Sequence, residues 1–297
     1  MKILITGSNG FLGSNLVSYF MKKNRYEIYC TSRNPLKVRN SNTIYGDLRE
    51  ISFVKNLFEQ IKPDVVINTV SLVDLDLCEE NPSLAYDLTV KTGRNIAQCA
   101  SEYNSRLAYI STDHLFDGNK SMYTEKEKTN PVNQYGKMKF EAENVSCKYN
   151  EDTIVIRTNF FGWSHINHPD TFGEWVYKSL KSKKAINLFT DYYFTPIEVT
   201  YLAEAIEKAI EKDITGVLNI VGSQRCSKYE FGMKLADLAG MDKSLINPCS
   251  LNDGIMTLKT KRQQDLSMSS EKYKALFGHS LPDLNENILR FLGNKDR

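Results

Sequence analysis

No two of the six cysteines (Cys30, Cys78, Cys99, Cys147, Cys226 and Cys249) stand at the two-residue separation of a zinc knuckle or thiol redox motif. Cysteines scattered in this way are expected to be free thiols in a reducing compartment. Charge of one sign is missing too, because 38 basic and 36 acidic residues leave a formal net charge of only +2. That balance provides no long-range field for nucleic acid or an anionic membrane surface. Long hydrophobic runs are absent as well: the opening Lys2-Ile3-Leu4-Ile5 is too short for a signal peptide and far too short for a membrane span. These absences predict a cytoplasmic protein with neither nucleic acid nor a membrane as partner. Histidine is scarce, and His165 and His168, three apart, are followed by Pro169 with no third ligand in view. They are read as a loop or pocket edge, and no metal is expected.

What is present is an ordinary globular composition, 41% hydrophobic and 25% charged over 297 residues. The chain is long enough for one large or two small domains with a buried core. Its first half alternates short apolar runs with helical patterns. Residues 2–5, 27–30, 65–67, 107–110 and 154–156 read as buried strands; 11–23, 52–61, 83–103 and 134–149 carry helical spacing. Strict alternation implies an α/β, Rossmann-like, doubly wound parallel sheet, since parallel strands need long crossovers.

After Arg157 the alternation fails. A loop-like stretch, 159–171, precedes helical patterns at 172–180 and 199–210, strand character returns at 216–221, and the remainder is helical and loop-rich. The pattern predicts a dinucleotide-binding domain of residues 1–157 plus about 195–222. A smaller, discontinuous substrate lobe would take about 158–194 plus 223–297. The lysine-rich segment 178–184 reads as a solvated helix end.

Directly after the first strand, Gly7, Gly10 and Gly13 recur at every third position and open a helix. Such glycines allow a tight turn and let the backbone approach a pyrophosphate, whose charge is favoured by the helix start. Asn9, Phe11 and Leu12 belong to the same loop. The second strand ends in Ser32-Arg33 with no carboxylate, where NAD-preferring proteins usually carry one about 20 residues past the fingerprint. An arginine there suits a 2′-phosphate, so NADP(H) is the expected cofactor, with NADH as a permitted alternative.

The strand 107–110 runs into Ser111-Thr112-Asp113-His114, whose hydroxyls would face the ligand crevice at the strands' carboxyl ends. Tyr135 and Lys139 stand four apart on the 134–149 pattern, about 40° apart around a helix and next to the apolar stripe Met138, Ala142, Val145, Tyr149. A phenol titrates near about 10 in water. A neighbouring ammonium is expected to lower it toward the working range of an acid-base catalyst. Tyr19–Lys23 and Tyr177–Lys181 repeat the spacing without that context.

The loop 6–13, Gly46-Asp47-Leu48, Asn68, Ser111-Thr112-Asp113, the run Pro131-x-Asn133-x-Tyr135-Gly136-Lys137-x-Lys139, Asn219-Ile220-Val221-Gly222 and Arg262-x-x-Asp265-x-Ser267 occur in that order. Together they resemble the extended short-chain dehydrogenase/reductase family, in its dTDP-4-dehydrorhamnose reductase branch. The resemblance implies reduction of a nucleotide-linked 4-keto-6-deoxy sugar by NADPH, in deoxysugar and polysaccharide biosynthesis. Tyr135 would be the proton donor, Lys139 would tune it and hold the nicotinamide ribose, and Thr112 would bond the carbonyl oxygen. Asp47 and Leu48 would lie near adenine, Asn68, Thr69 and Val70 along the cofactor, and Arg262 beside substrate phosphate. Ser71, Asp113, His114, Phe160 and Trp163 would border the sugar. The family also contains epimerases and dehydratases with tightly held NAD, and a non-catalytic regulatory subunit. It leaves homodimerisation open. His114 stands where the branch usually has tyrosine, Phe160 about where it has tryptophan, and Thr69 to Asp74 lacks the usual alanine-rich character. Trp163 and Phe160 read equally well as pocket lining or as packing between lobes.

Overall fold

In the computed structural model, which describes residues 1–34, 42–164, 169–255 and 259–295, every strand of the central sheet is parallel to its neighbours. The strands are β1 (Lys2–Thr6), β2 (Glu27–Ser32), β3 (Thr43–Tyr45), β4 (Val65–Asn68), β5 (Arg106–Ile110) and β6 (Thr153–Arg157). Three short pairing strands follow, β7 (Phe160–Phe161), β8 (Ile186–Phe189) and β9 (Tyr193–Phe194), then β10 (Ile197–Glu198), and β11 (Gly216–Asn219) returns to the main sheet. Its order is β11-β6-β5-β4-β1-β2-β3, reversing direction of growth between β1 and β4. A crevice opens at such a reversal, above the strands' carboxyl ends.

Period-two alternation sends Ile3 and Ile5 to one face and Leu4 to the other, and both faces are buried. Helices α1 (Phe11–Met21) and α8 (Val199–Glu211) cover the first face. The second is covered by α2 (Ile51–Ile61) and α5 (Thr92–Glu102). Between α2 and α5 lie α3 (Leu75–Glu80) and α4 (Pro82–Tyr86), and α6 (Gln134–Tyr149) packs beside α5. The helix expected over 83–103 is interrupted by a π-helical turn, Asp87–Lys91. Hydrophobic periodicity does not register one inserted residue, so the sequence pattern reads through it.

Past β6 a second core forms from Phe161, Phe194, Phe231 and Phe291. It is enclosed by α7 (Phe172–Lys181), α9 (Lys228–Leu238) and α11 (Leu284–Gly293). Strands β12 (Cys226–Ser227) and β13 (Ile246–Cys249) pair with β9 and β8. Capping boxes start all three helices, from Thr171, Ser227 and Asp283. Tyr273 of α10 (Glu271–Phe277) and Leu281 turn back to the sheet-side core. None of the six cysteines forms a disulfide. No described helix is long and apolar enough to cross a membrane.

Candidate active site

The glycine loop has the geometry its spacing predicts. Gly7 lies at φ +69°, and a Cβ there would meet Thr69 Oγ1 at 2.7 Å. A Cβ on Gly13 would strike the Gly7 carbonyl oxygen at 2.3 Å, so only glycine lets α1 settle onto the turn. Gly10 caps α1 without any side-chain acceptor. The first-turn amides therefore keep their donors for an anion, which fits a pyrophosphate.

Two cavities of about 300 and 450 Å³ meet at Gly10, Thr69 and Ser71, forming one groove across the switch point. Its outer part is lined by Gly7, Asn9, Ser32, Arg33, Asp47, Leu48 and Val70. Phe11, Leu12, Gly13, Thr112, Asp113, His114, Tyr135, Lys139 and Phe160 line the inner part. Residues that the sequence placed on seven separate segments thus share one surface. Leu88, inside the π-turn, and Thr92, directly after it, also line the outer part. Sequence reasoning missed them because the inserted residue shifts which side chains face the sheet edge. Their one signal was proximity to the helix that follows β4.

Several expected residues serve differently. Asn68 is not part of the lining: it is fully buried, and its Oδ1 accepts from Thr6 Oγ1 at 2.8 Å and from the Val70 amide at 3.1 Å. It shapes the loop that does line the groove. Asp47 is clasped by Arg49, Nε donating to both carboxylate oxygens at 3.0 Å, which holds the carboxyl below its usual range. Ser32 Oγ donates to the Asn34 carbonyl, and exposed Arg33 makes no ion pair with any described residue. His165 and His168 lie outside the described residues.

Trp163 lies away from the groove. Its ring stacks on Phe291 at 4.5 Å and its Nε1 donates to the Phe291 carbonyl at 2.7 Å, so it packs within the second lobe, against the core that Phe291 belongs to. Phe160 does line the groove, stacked on Phe11 at 5.6 Å. Arg262 is outside the lining, donating to the Thr260 carbonyl at 3.1 Å, yet its charge acts on His114 and Tyr192.

At the inner end, the Asn133 side chain caps α6 by accepting from the Gly136 amide at 2.9 Å. A Cβ on Gly136 would lie 2.3 Å from the His114 carbonyl oxygen, so glycine lets the first turn of α6 close on the β5 loop. That approach brings Tyr135 to Thr112. Burial raises the Tyr135 pKa, and the hydrogen bond from the Thr112 hydroxyl opposes it. The lowering by Lys139 expected from sequence is not found. Lys139 instead donates to the Ile110 carbonyl at 2.5 Å, lies 4.5 Å over the Tyr109 ring, and is pulled down to about 7 by burial. The ammonium that would acidify the phenol is itself desolvated, which weakens its charge. His114 sits edge-on to Tyr135 at 5.4 Å, and burial lowers its pKa, favouring a neutral ring. Asp113, 1% exposed, accepts from Thr112 Oγ1 at 3.1 Å and from Asn159 Nδ2.

Such a site offers a protonated phenol, a hydroxyl and a cation around one point of a dinucleotide-sized groove. The chain is 26% identical over 253 residues to the dTDP-4-dehydrorhamnose reductase of Aggregatibacter actinomycetemcomitans, covering 83% of this chain and 82% of that protein. It is 26% identical over 270 residues to the methionine adenosyltransferase 2 subunit beta of Rattus norvegicus, covering 89% and 79%. The fold matches that of dTDP-4-dehydrorhamnose reductase from Bacillus anthracis, solved in complex with NADP, with a TM-score of 0.87, 24% identity and 98% of each chain covered. Residues 1–296 match the family described as RmlD substrate binding domain, and the chain belongs to that family within the extended short-chain dehydrogenases/reductases.

Proposed function

We propose that this protein is an NADPH-dependent reductase of a nucleotide-linked 4-keto-6-deoxy sugar. The observation that carries the reading is the meeting of Thr112, Tyr135 and Lys139 in the cavity that also contains the start of α1. The division behind it is a cofactor domain of residues 1–157 with about 195–222, and a substrate lobe of about 158–194 with 223–297.

The α1 amides would hold the pyrophosphate, Ser32 and Arg33 the 2′-phosphate, and Asp47, Leu48, Leu88 and Thr92 the adenine end. Bound NADPH supplies the hydride. Tyr135 acts as proton donor, and the raised pKa suits that role because the phenol stays protonated at neutral pH. Thr112 orients the keto oxygen. Lys139 stands behind both, on the Ile110 carbonyl, near the nicotinamide ribose position. The relatives named dTDP-4-dehydrorhamnose reductase, and the NADP found in one of them, support the substrate class and cofactor.

A panel of nucleotide-linked 4-keto sugars offered with NADPH, followed at the reduced-nicotinamide absorbance, tests the reaction. One member should be consumed. Tyr135→Phe should then lower turnover by about 10²–10⁴-fold with NADPH binding unchanged, the loss expected of a missing general acid. The relative named as a methionine adenosyltransferase subunit favours a second reading, a non-catalytic NADP-binding regulator. Silence across the panel with NADPH still bound would select it, whereas a stoichiometric NAD that survives dialysis would point to an epimerase or dehydratase.

A further inference from the structure

Tyr109 is a fully buried tyrosine whose hydroxyl meets no hydrogen-bond partner among the described residues. Leaving a buried hydroxyl unpaired costs stability, and a phenylalanine would avoid that cost. The hydroxyl is therefore not what ties this side chain to its place. Period-two alternation along β5 turns Tyr109 toward α6, where it packs with Val90, Ala142 and Val155. On that side its ring face meets the ammonium of Lys139, 4.5 Å from the ring centre.

Lys139 has few other means of staying charged. It is 4% exposed, and no carboxylate among the described residues lies within ion-pair distance of it. Glu143, one turn further along α6, is the carboxylate whose charge reaches it, but both oxygens of Glu143 accept from Arg157, at 3.0 and 2.7 Å. Asp113, which lines the same cavity, is likewise engaged by Thr112 and Asn159. Tyr135 and His114, the other titratable groups of that lining, are both pushed by burial toward their neutral forms. Burial acts on Tyr109 in the same sense, so it presents a ring and not a phenolate.

Among the described residues, the groups in contact with the ammonium are the Ile110 carbonyl, at 2.5 Å, and the Tyr109 ring. An aromatic face attracts a cation through its quadrupole, most strongly where water is excluded. The two contacts come from adjacent residues of one strand, so β5 sets the height and direction of the ammonium together. One of its three N–H bonds is spent on Ile110, and the others are left for the inner cavity that Lys139 lines.

We propose that the Tyr109 ring is the floor that keeps Lys139 charged and aimed into the groove, which makes Tyr109 a positioning residue for the reaction. What the charge is used for rests on the reductase reading: it would hold the nicotinamide ribose and steady the phenolate of Tyr135. Tyr109 itself acts only through Lys139. A ring that simply filled core volume would matter by its size, whereas this one matters by the electron density of its face.

The test uses the full chain with its lysines carbon-13 labelled at Cε, whose chemical shift follows the protonation of each ammonium. Lys139→Met, by deleting one signal, identifies the one to follow. Tyr109→Phe keeps the ring and drops the unpaired hydroxyl, so the Lys139 titration should stay within about 0.3 pH unit of the wild type. Tyr109→Leu removes the ring, and the titration should fall by roughly one pH unit. If Tyr109→Leu fails to fold, phenylalanines bearing one, two or three ring fluorines at position 109 keep the shape and drain the ring face, and the titration should step down with each fluorine. The inference is overturned by a titration that is unmoved in folded Tyr109→Leu or flat across the fluorine series, or by Tyr109→Phe lowering it as far as Tyr109→Leu does. These spectra need no turnover, so a ring-dependent titration in a protein that reduces no keto sugar would sink the reductase reading alone. Where a sugar is reduced, the fall in kcat/KM with rising pH should track the same series, and a limb that ignores it would overturn the positioning role.

Discussion

Lys139 shows how burial changes what a spacing means. Four residues from Tyr135, it was expected to acidify the phenol. In the fold it is desolvated to about 7, Glu143 pulling the other way, while Tyr135 is raised. The charged form of Lys139 is thus lost as pH rises through about 7, and Tyr135 stays protonated over the same range. If that charge steadies the phenolate, kcat/KM should fall as pH rises through about 7, and the limb should vanish in Lys139→Met. Stability should move the opposite way. Between about 7 and the ordinary 10.5 the unfolded chain binds the proton that the folded one has lost, so this residue's contribution to stability increases with pH. Matching pH–rate profiles of the wild type and Lys139→Met would remove Lys139 from the chemistry.

At the level of elements, α6 carries the two reactive side chains, and one buried ion pair ties it to the sheet. Arg157 at the end of β6 donates through Nε to Glu143 Oε1 at 3.0 Å and through Nη2 to Oε2 at 2.7 Å. Both residues are about as buried as the core, with side chains 5% exposed. Glu143 lies eight residues past Tyr135 and four past Lys139, on the same side of the helix. Arg157→Met should leave a buried carboxylate unpaired and cost about 3–5 kcal/mol in urea denaturation. Adding Glu143→Gln should recover most of the loss. An unchanged midpoint in the single variant would mean that α6 is held by packing alone. The helix itself was legible, because its cap Asn133 and its apolar stripe are local. The π-turn before α5 was not, since one inserted residue leaves the apolar pattern on either side intact.

Across the whole molecule, distant segments are joined by side chains whose roles no single segment reveals. Trp163 is the clearest case. Its neighbours in sequence include glycine, a second aromatic and a proline, as a pocket rim would, but its indole is spent on Phe291, more than a hundred residues away. Trp163→Phe should remove one of two hydrogen bonds to the Phe291 carbonyl, which keeps the Asn294 amide at 3.2 Å, and lower stability by about 0.5–1.5 kcal/mol in chemical denaturation. The KM for the sugar nucleotide should not move. A raised KM with unchanged stability would return Trp163 to the substrate site. Asn68 follows the same logic, since its Oδ1 is taken by Thr6 and Val70 inside the fold.

By itself the sequence determined the βα alternation, the parallel sheet, the glycine loop and the Tyr-Lys helix, because each depends on residues within a few positions of one another. Steric need at a turn and apolar periodicity are written locally. Only the tertiary structure decided which way the phenol's pKa moves, that Asp47 is clasped by Arg49 and that Trp163 is used in packing. Desolvation and Coulomb interaction depend on which distant segments exclude water from a group, and that information exists only once the chain has closed on itself.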